Sequence, residues 1–134
     1  MLGAVPLLIV PFILYNLGLL GLTGAGEPDP WAAAVFSARL ISGGTFVFTW
    51  GTLLVVVALV LLFVEILKAT RTSNASVVDH LLSTFVFIAF LLEFILVPGA
   101  AHPIFFTLMM ISLVDVLAGF AVSLRSAGRD VTYS

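Results

Sequence analysis

Four long apolar runs dominate this sequence and restrict its possible folds more than any other feature. They cover residues 2–22, 45–67, 77–97 and 104–124. A helix needs about 20 residues to cross a bilayer core of about 30 Å, and each run has that length. Because 62% of the residues are hydrophobic and only 9% are charged, water cannot be the main solvent around this chain. The sequence therefore predicts an all-α fold, a four-helix transmembrane bundle in which residues 1–134 form a single membrane domain.

The segment between the first two runs has a different pattern. The sequence EPDP is a turn signal in which Asp29 can cap a helix and Pro30 can begin it. The apolar residues that follow recur at helical spacing: Trp31, Ala34, Val35, Ala38 and Ile41. We therefore expect a short amphipathic helix over residues 30–42 on the outer membrane surface, with Trp31 and Arg39 as interfacial anchors. A plain periplasmic loop with helical character is the alternative.

The basic residues predict the orientation of the chain. Arg39 lies between the first two runs, whereas the other basic residues follow the second and fourth runs: Lys68, Arg71, Arg125 and Arg129. Since cytoplasmic loops carry the excess of Lys and Arg, we expect both termini in the cytoplasm. A cleaved signal peptide is the alternative for the first run. That run is longer than the apolar region of a signal peptide, however, and no basic residue precedes it.

The composition argues against several classes of function. The five Lys and Arg residues are dispersed and the net charge is −2, whereas a nucleic-acid surface needs clustered basic residues. The absence of cysteine removes thiolate metal sites and cysteine nucleophiles. His80 and His102 are expected near opposite membrane surfaces, too far apart to share a metal ion, so each is interpreted as a polar anchor. With no catalytic triad or phosphate-binding motif visible, we predict a non-enzymatic protein that uses no metal, cofactor or nucleic acid.

Asp115 is the most unusual residue of the predicted spans. It lies ten residues before Arg125, about 15 Å along a helix and therefore close to the bilayer centre. A charged residue at that depth costs about 2.5–3.5 kcal/mol on insertion scales, so such residues are usually functional. Small and polar residues surround it at three- and four-residue spacing: Ser112, Gly119, Ser123 and Ser126. Three interpretations stay open: a buried polar clamp between helices, an ion or proton pathway, and an interface with another subunit.

Polar residues of the third run are expected at matching depths. One face of its predicted helix carries Asp79, Ser83, Val86, Phe90 and Glu93. Folding the chain back near residue 100 brings Ser83 level with Asp115, and Glu93 level with Thr107. Three further polar residues should lie near Glu93 in depth: Asn16, Thr49 and Thr52. The candidates for an intramembrane polar or ion pathway are Asp115, Glu93, Asp79, Ser112, Ser83 and Thr107. Glu93 can equally be a satisfied interfacial carboxylate.

Two further acids have simpler interpretations. Asp79 lies three residues after Ser76, a spacing typical of a capping box at a helix start, so its role can be purely structural. In the alternative interpretation, Asp79 lies near the inner mouth of a pathway. Glu65 lies three residues before Lys68, which predicts a surface ion pair at the cytoplasmic edge.

Two stretches carry a resemblance: LKATRTSNASVVDHLLSTFVF, around the third run, and SLVDVLAGFAVSLRSAGRDV, near the end. They look like a group of small, uncharacterised four-span inner-membrane proteins of alphaproteobacteria. The resemblance implies a bacterial inner membrane and no particular activity. Small multidrug transporters are similar in size and span number, but their first span carries an essential Glu, and the first run here contains no acid.

Three functional hypotheses follow. The first is a non-enzymatic scaffold or accessory subunit that forms a homo-oligomer or docks on a larger membrane complex. The second is a small oligomeric ion channel or proton-coupled transporter that uses Asp115 and Glu93. The third is a site for a lipid or a small hydrophobic ligand against Trp31 and Phe36, between the interfacial helix and the outer half of the bundle.

Overall fold

The structure is a computed structural model that describes residues 5–21, 29–70 and 74–133, without the side chains of residues 74–76, 123 and 125–133. This part of the chain is mostly helical. Its helices are α1 (Ile9–Leu19), α2 (Trp50–Lys68), α3 (Asn74–Leu96) and α4 (Pro103–Tyr133). Its strands are β1 (Ala34–Arg39) and β2 (Thr45–Thr49). Single 3-10 turns at Pro30–Ala32 and Pro98–Ala100 precede β1 and α4.

Three of the helices are long and apolar enough to cross a membrane. They are α2, with a mean hydropathy of 2.6, and the segments Val77–Leu96 of α3 and Pro103–Val122 of α4, with values of 1.9 and 2.2. The transmembrane character predicted for the second, third and fourth runs therefore fits these helices. The first run forms an apolar helix of only 11 residues, about 16 Å long. The prediction of four spans thus goes further than the helix lengths alone support.

The helix predicted over residues 30–42 is wrong, so the fold is mostly helical with a small two-stranded sheet and is not all-α throughout. Asp29 does cap Pro30–Ala32, since its carboxylate accepts a 3.1 Å hydrogen bond from the Trp31 amide, but the chain then enters an antiparallel hairpin of β1 and β2. Gly43, with a φ of +91°, lies in the connecting turn, where a left-handed backbone favours glycine. The β2 sequence TFVFT alternates β-branched and aromatic residues, a pattern that favours a strand. Its pairing with β1 satisfies backbone N–H and C=O groups by hydrogen bonds between the strands instead of within a helix.

Aromatic side chains hold the helices together around one core. The ring of Phe12 on α1 lies 4.9 Å from Phe90 on α3, and the ring of Tyr15 lies 4.9 Å from Phe105 on α4. Trp31 stacks on Tyr15 at 5.0 Å and is only 6% exposed. It therefore belongs to the core and is not the interfacial anchor predicted from its position. Gly18 makes this packing possible, because a Cβ atom there would overlap the indole ring.

The segment that contains α1 contacts both ends of the longer helices. At one end, called here the Lys68 end, the Lys68 ammonium donates a 2.7 Å hydrogen bond to the carbonyl oxygen of Val5. At the other, the Gly99 end, the Tyr15 hydroxyl donates a 2.9 Å hydrogen bond to the carbonyl oxygen of Gly99. Residues 5–21 therefore contact both ends of their neighbours through these side chains, although only Ile9–Leu19 are helical.

Candidate functional site

Four polar side chains from three helices are buried together at the Lys68 end. They are Glu65 on α2, Asp79 and Ser83 on α3, and Asp115 on α4. Ser83 lies level with Asp115, as the depth argument predicts, and interacts with its carboxyl group. We call these four residues and Lys68 the polar cluster. It contains three of the residues singled out in the sequence, together with Glu65, which the sequence placed at the surface.

Lys68 connects two of the three acidic members of the cluster, Glu65 and Asp79. Its ammonium nitrogen lies 2.9 Å from Oε1 of Glu65 and 3.0 Å from Oδ1 of Asp79. The predicted pair of Glu65 and Lys68 therefore exists, but it is not a surface pair, because Glu65 is only 2% exposed. Since α3 begins at Asn74, Asp79 lies beyond its first turn and binds Lys68 across the α2–α3 interface. The Ser76 side chain proposed as its capping partner lies outside the described side chains.

Glu65 also binds the beginning of the chain. Its Oε1 accepts a 2.7 Å hydrogen bond from the amide of Leu7, just before α1, and its Oε2 accepts a longer one of 3.5 Å from the Ser83 hydroxyl. A carboxylate near a helix N-terminus is favoured by the helix dipole and by the unpaired amides there. The side chain of Glu65 thus joins the residue before the N-cap of α1 and a residue within α3 to the last turn of α2.

A small cavity adjoins the cluster. Its volume is about 10 Å³, about the minimum space for one water molecule. It is lined by Glu65, Ala69, Asp79, His80, Ser83, Asp115 and Gly119. The carboxyl groups of Glu65, Asp79 and Asp115 therefore surround a space about the size of one water molecule.

The small and polar stripe predicted on α4 faces protein where it is described. Ser112, Asp115 and Gly119 are all buried, and a Cβ atom at Gly119 would lie 3.5 Å from Nδ1 of His80. Ser112 is fully buried, and its hydroxyl has no hydrogen-bond partner within the described residues. The side chains of Ser123 and Ser126 are not among those described.

A second polar group lies at the Gly99 end. The half-buried Glu93 lies near Asn16, which the sequence placed at the same depth and whose side-chain amide donates a 2.9 Å hydrogen bond to the carbonyl oxygen of Phe12. Thr107 does not join them, because its hydroxyl donates to the carbonyl oxygen of Pro103 at 2.8 Å, within its own helix. Thr49 caps α2 by accepting a 3.1 Å hydrogen bond from the amide of Thr52.

Apolar side chains separate the two polar groups. Between Ser83 and Glu93, the inward face of α3 carries Val86 and Phe90, which are both buried. On α4, the fully buried Phe105 and Leu108 belong to the same core cluster. The described part of one chain therefore contains no continuous polar route from Asp115 to Glu93.

Asp29 and His102 form a third pair, also at the Gly99 end. Nε2 of His102 lies 2.9 Å and 3.0 Å from the two carboxylate oxygens of Asp29, while Nδ1 accepts a 3.0 Å hydrogen bond from the amide of Ile104. Since Nδ1 is an acceptor, Nε2 carries a proton and donates it to Asp29. The hydrogen bond from His102 holds the pKa of Asp29 below its usual value. The sequence predicted a cap and a polar anchor here without connecting them.

Both nitrogen atoms of His102 already have partners, and among the residues that the structure describes no group of three His, Asp or Glu side chains is placed to hold a metal ion. No family model matches the sequence, and comparisons with curated proteins and with solved structures find no significant similarity. The resemblance to small alphaproteobacterial membrane proteins therefore stays a prediction.

Proposed function

We propose that this protein crosses a bacterial inner membrane four times, with both termini in the cytoplasm. The contacts of Val5 with Lys68 and of Tyr15 with Gly99 support a fourth span, because they join the first segment to both ends of its neighbours. The basic residues support the orientation, since Lys68 ends α2 at the same end as the polar cluster and Arg39 lies on the hairpin at the opposite end.

We further propose that it acts as a non-enzymatic scaffold or accessory subunit, which oligomerises or docks on a larger membrane complex. The observation that carries this proposal is how its ionisable side chains are used. Glu65 and Asp79 are paired with Lys68, and Asp29 with His102, so these groups join elements of the chain to one another. The helices expose large apolar side chains instead: Leu59, Phe63, Phe85, Leu92, Leu117 and Phe120.

Site-specific crosslinking in native membranes tests this proposal. The chain has no cysteine, so single substitutions at exposed positions on three helices, Leu59→Cys, Leu92→Cys and Leu117→Cys, give unambiguous sites. A scaffold should crosslink efficiently from one helix face and poorly from the others, either to itself or to one defined partner. Native mass spectrometry from a gentle detergent should show the same species. Uniformly weak crosslinking together with a strictly monomeric protein would contradict the proposal.

A small proton-coupled transporter or channel is a second candidate. It is favoured by the three carboxyl groups around the 10 Å³ cavity. Of these, Asp115 is the one that the sequence places deepest in the membrane. Because Val86 and Phe90 separate this cavity from Glu93, a route would have to run between copies of the chain. Proton flux into liposomes should then fall for Asp115→Asn and remain for Thr107→Val. Equal flux in the wild type and Asp115→Asn, or no flux in either, would remove this candidate.

A lipid site is a third candidate, but at a different place from the one suggested by the sequence. Trp31 is buried against Tyr15, so it cannot line an open site at the surface. An apolar groove of about 440 Å³ lies between the α1 segment and α3 instead. It is lined by Pro6, Ile9, Phe12, Leu82, Phe85, Val86 and Ala89. Phospholipid retained by the wild type but lost from Ala89→Phe after delipidation would support this site.

A further inference from the structure

The hairpin of β1 and β2 has two unlike faces. Pairing places Phe36 opposite Phe48 and Ala38 opposite Phe46, so three phenylalanines share one face. The rings of Phe36 and Phe48 stack at 4.9 Å, and that of Phe46 lies within 6.4 Å of both. We call this the phenylalanine face. The opposite face carries Ser37, Arg39, Thr45 and Val47.

Much of the phenylalanine face is exposed. Phe36 is 51% exposed and Phe46 is 44% exposed, and Ile41 in the connecting turn is fully exposed. An isolated two-stranded hairpin is at best marginally stable in water, and exposed aromatic groups of this size usually mark a contact with another apolar phase. The hairpin is therefore expected to be covered in its working environment.

The position of the hairpin indicates what covers it. Thr49 is both the last residue of β2 and the N-cap of α2, the most apolar helix of the protein. The hairpin thus ends at the residue before this helix begins, and the exposed Trp50 is the first residue of the helix. Tryptophan is enriched at the level of lipid headgroups. The phenylalanine face therefore starts at the surface of the bilayer, with no linker that would carry it away.

The backbone and the single charge fix the depth. The outer edges of a two-stranded sheet carry unpaired N–H and C=O groups, which hydrocarbon cannot satisfy. Arg39 is the one charged residue of the two strands, and it lies on the face opposite the phenylalanines. The headgroup layer satisfies both requirements, because it offers water and phosphate on one side and acyl chains on the other.

We infer that the hairpin lies in the headgroup layer of the membrane, with the phenylalanine face toward the acyl chains and Arg39 toward the phosphates. Its partner is a phospholipid surface and not a second protein. This inference rests on the proposed insertion of the helices in a membrane, and it adds a monotopic attachment next to the Gly99 end.

Spin labels on single cysteines test the inference, because the chain has no cysteine of its own. The variants are Phe46→Cys and Thr45→Cys, which are adjacent on β2 but face opposite sides, and the equivalent pair Phe36→Cys and Ser37→Cys on β1. Leu92→Cys, exposed on α3, is the control for insertion. Each protein is placed in vesicles of phosphatidylethanolamine and phosphatidylglycerol, and collisions are measured with oxygen, which enters lipid, and with a water-soluble nickel chelate.

The inference predicts an alternation in both strands. The ratio of oxygen to nickel collisions should be several-fold higher at positions 36 and 46 than at positions 37 and 45, and highest at position 92. Equal ratios at 45 and 46, with position 92 in lipid, would overturn the inference alone, and equally low ratios would show a hairpin in water. Low collision rates with both reagents at 36 and 46 would show a protein cover and overturn it too. A water-accessible position 92 would overturn the proposed membrane insertion itself.

The two strands provide independent tests, because each label is on a separate protein variant and a disturbance in one variant does not affect the others. If Phe46→Cys distorts β2, the Phe36→Cys and Ser37→Cys pair still reports the orientation of β1.

Discussion

The hydroxyl group of Tyr15 donates a 2.9 Å hydrogen bond to the carbonyl oxygen of Gly99, and the same ring stacks on Trp31 at 5.0 Å. Tyr15 is fully buried. One side chain of α1 therefore holds the connection between α3 and α4 and also the turn that precedes the hairpin.

Replacing Tyr15 by Phe should remove the hydrogen bond and keep the ring contact. We expect the free energy of unfolding to fall by about 1 kcal/mol, the usual contribution of such a bond. Tyr15→Leu should lower it further, because the contacts with Trp31 and Phe105 are lost as well. Unfolding of the purified protein in mixed micelles with increasing sodium dodecyl sulfate measures both values. Equal stability of the wild type and Tyr15→Phe would show that the bond contributes nothing.

Removing the charge of Lys68 should be among the most damaging single changes. In Lys68→Met, the buried carboxylates of Glu65 and Asp79 lose the ammonium group between them. Breaking a buried pair from one side costs about 3–5 kcal/mol. Lys68→Arg keeps the charge and serves as the control. The same unfolding assay measures the effect. If Lys68→Met lowers the free energy of unfolding by less than about 1 kcal/mol, the ion pairs of Lys68 contribute no more than exposed ion pairs do, and the prediction is wrong.

Gly18 should tolerate no side chain. In Gly18→Ala the new methyl group overlaps the indole of Trp31, which must move away from Tyr15. Overpacking of this kind costs about 1–3 kcal/mol. Gly44→Ala is the control, since its Cβ atom would lie 3.5 Å from Oγ of Ser42, an ordinary van der Waals contact. In a Trp50→Phe background, the emission of Trp31 should change for Gly18→Ala only; unchanged emission and stability would refute the packing argument.

The contact between Asp29 and His102 should make the stability of the protein depend on pH in the acidic range. The pKa of Asp29 is lowered in the folded protein, chiefly by the hydrogen bond from His102, so its contribution is present above the unfolded value of about 3.9 and is lost as the pH falls through the folded value. The difference in Tm between the wild type and Asp29→Asn should be present at about pH 5 and shrink below about pH 4. A difference that persists unchanged at the lowest pH would argue against this ionised contact.

The long helices could be predicted from the sequence because a bilayer imposes a length. The apolar runs at residues 45–67, 77–97 and 104–124 contain the three helices that are long enough to span it. The depth argument also placed Ser83 level with Asp115, since both positions follow from a constant helical rise. Local periodicity within a long apolar run is thus sufficient for this part of the fold.

The hairpin could not be predicted in the same way, because its two strands depend on each other. Residues 30–42 have helical spacing when they are considered alone, and the partner strand Thr45–Thr49 merges with an apolar run that continues into α2. Strand pairing is a non-local interaction, and a pattern within one segment does not contain it.

The burial of Glu65 was missed for a related reason. A spacing of three residues from Lys68 is the same for an exposed pair and a buried one. What buries Glu65 is a backbone amide 58 residues earlier, that of Leu7, and any residue type except proline could supply that amide.

These long-range contacts also restrict the order in which the protein can assemble during synthesis. The partners of the first segment are the last turn of α2, through Glu65 and Lys68, and the connection before α4, through Gly99. When the first hydrophobic segment leaves the ribosome, none of these partners has yet been translated. The contact with Gly99 can therefore form only after α3 has been synthesised, so the first segment cannot complete its packing before then.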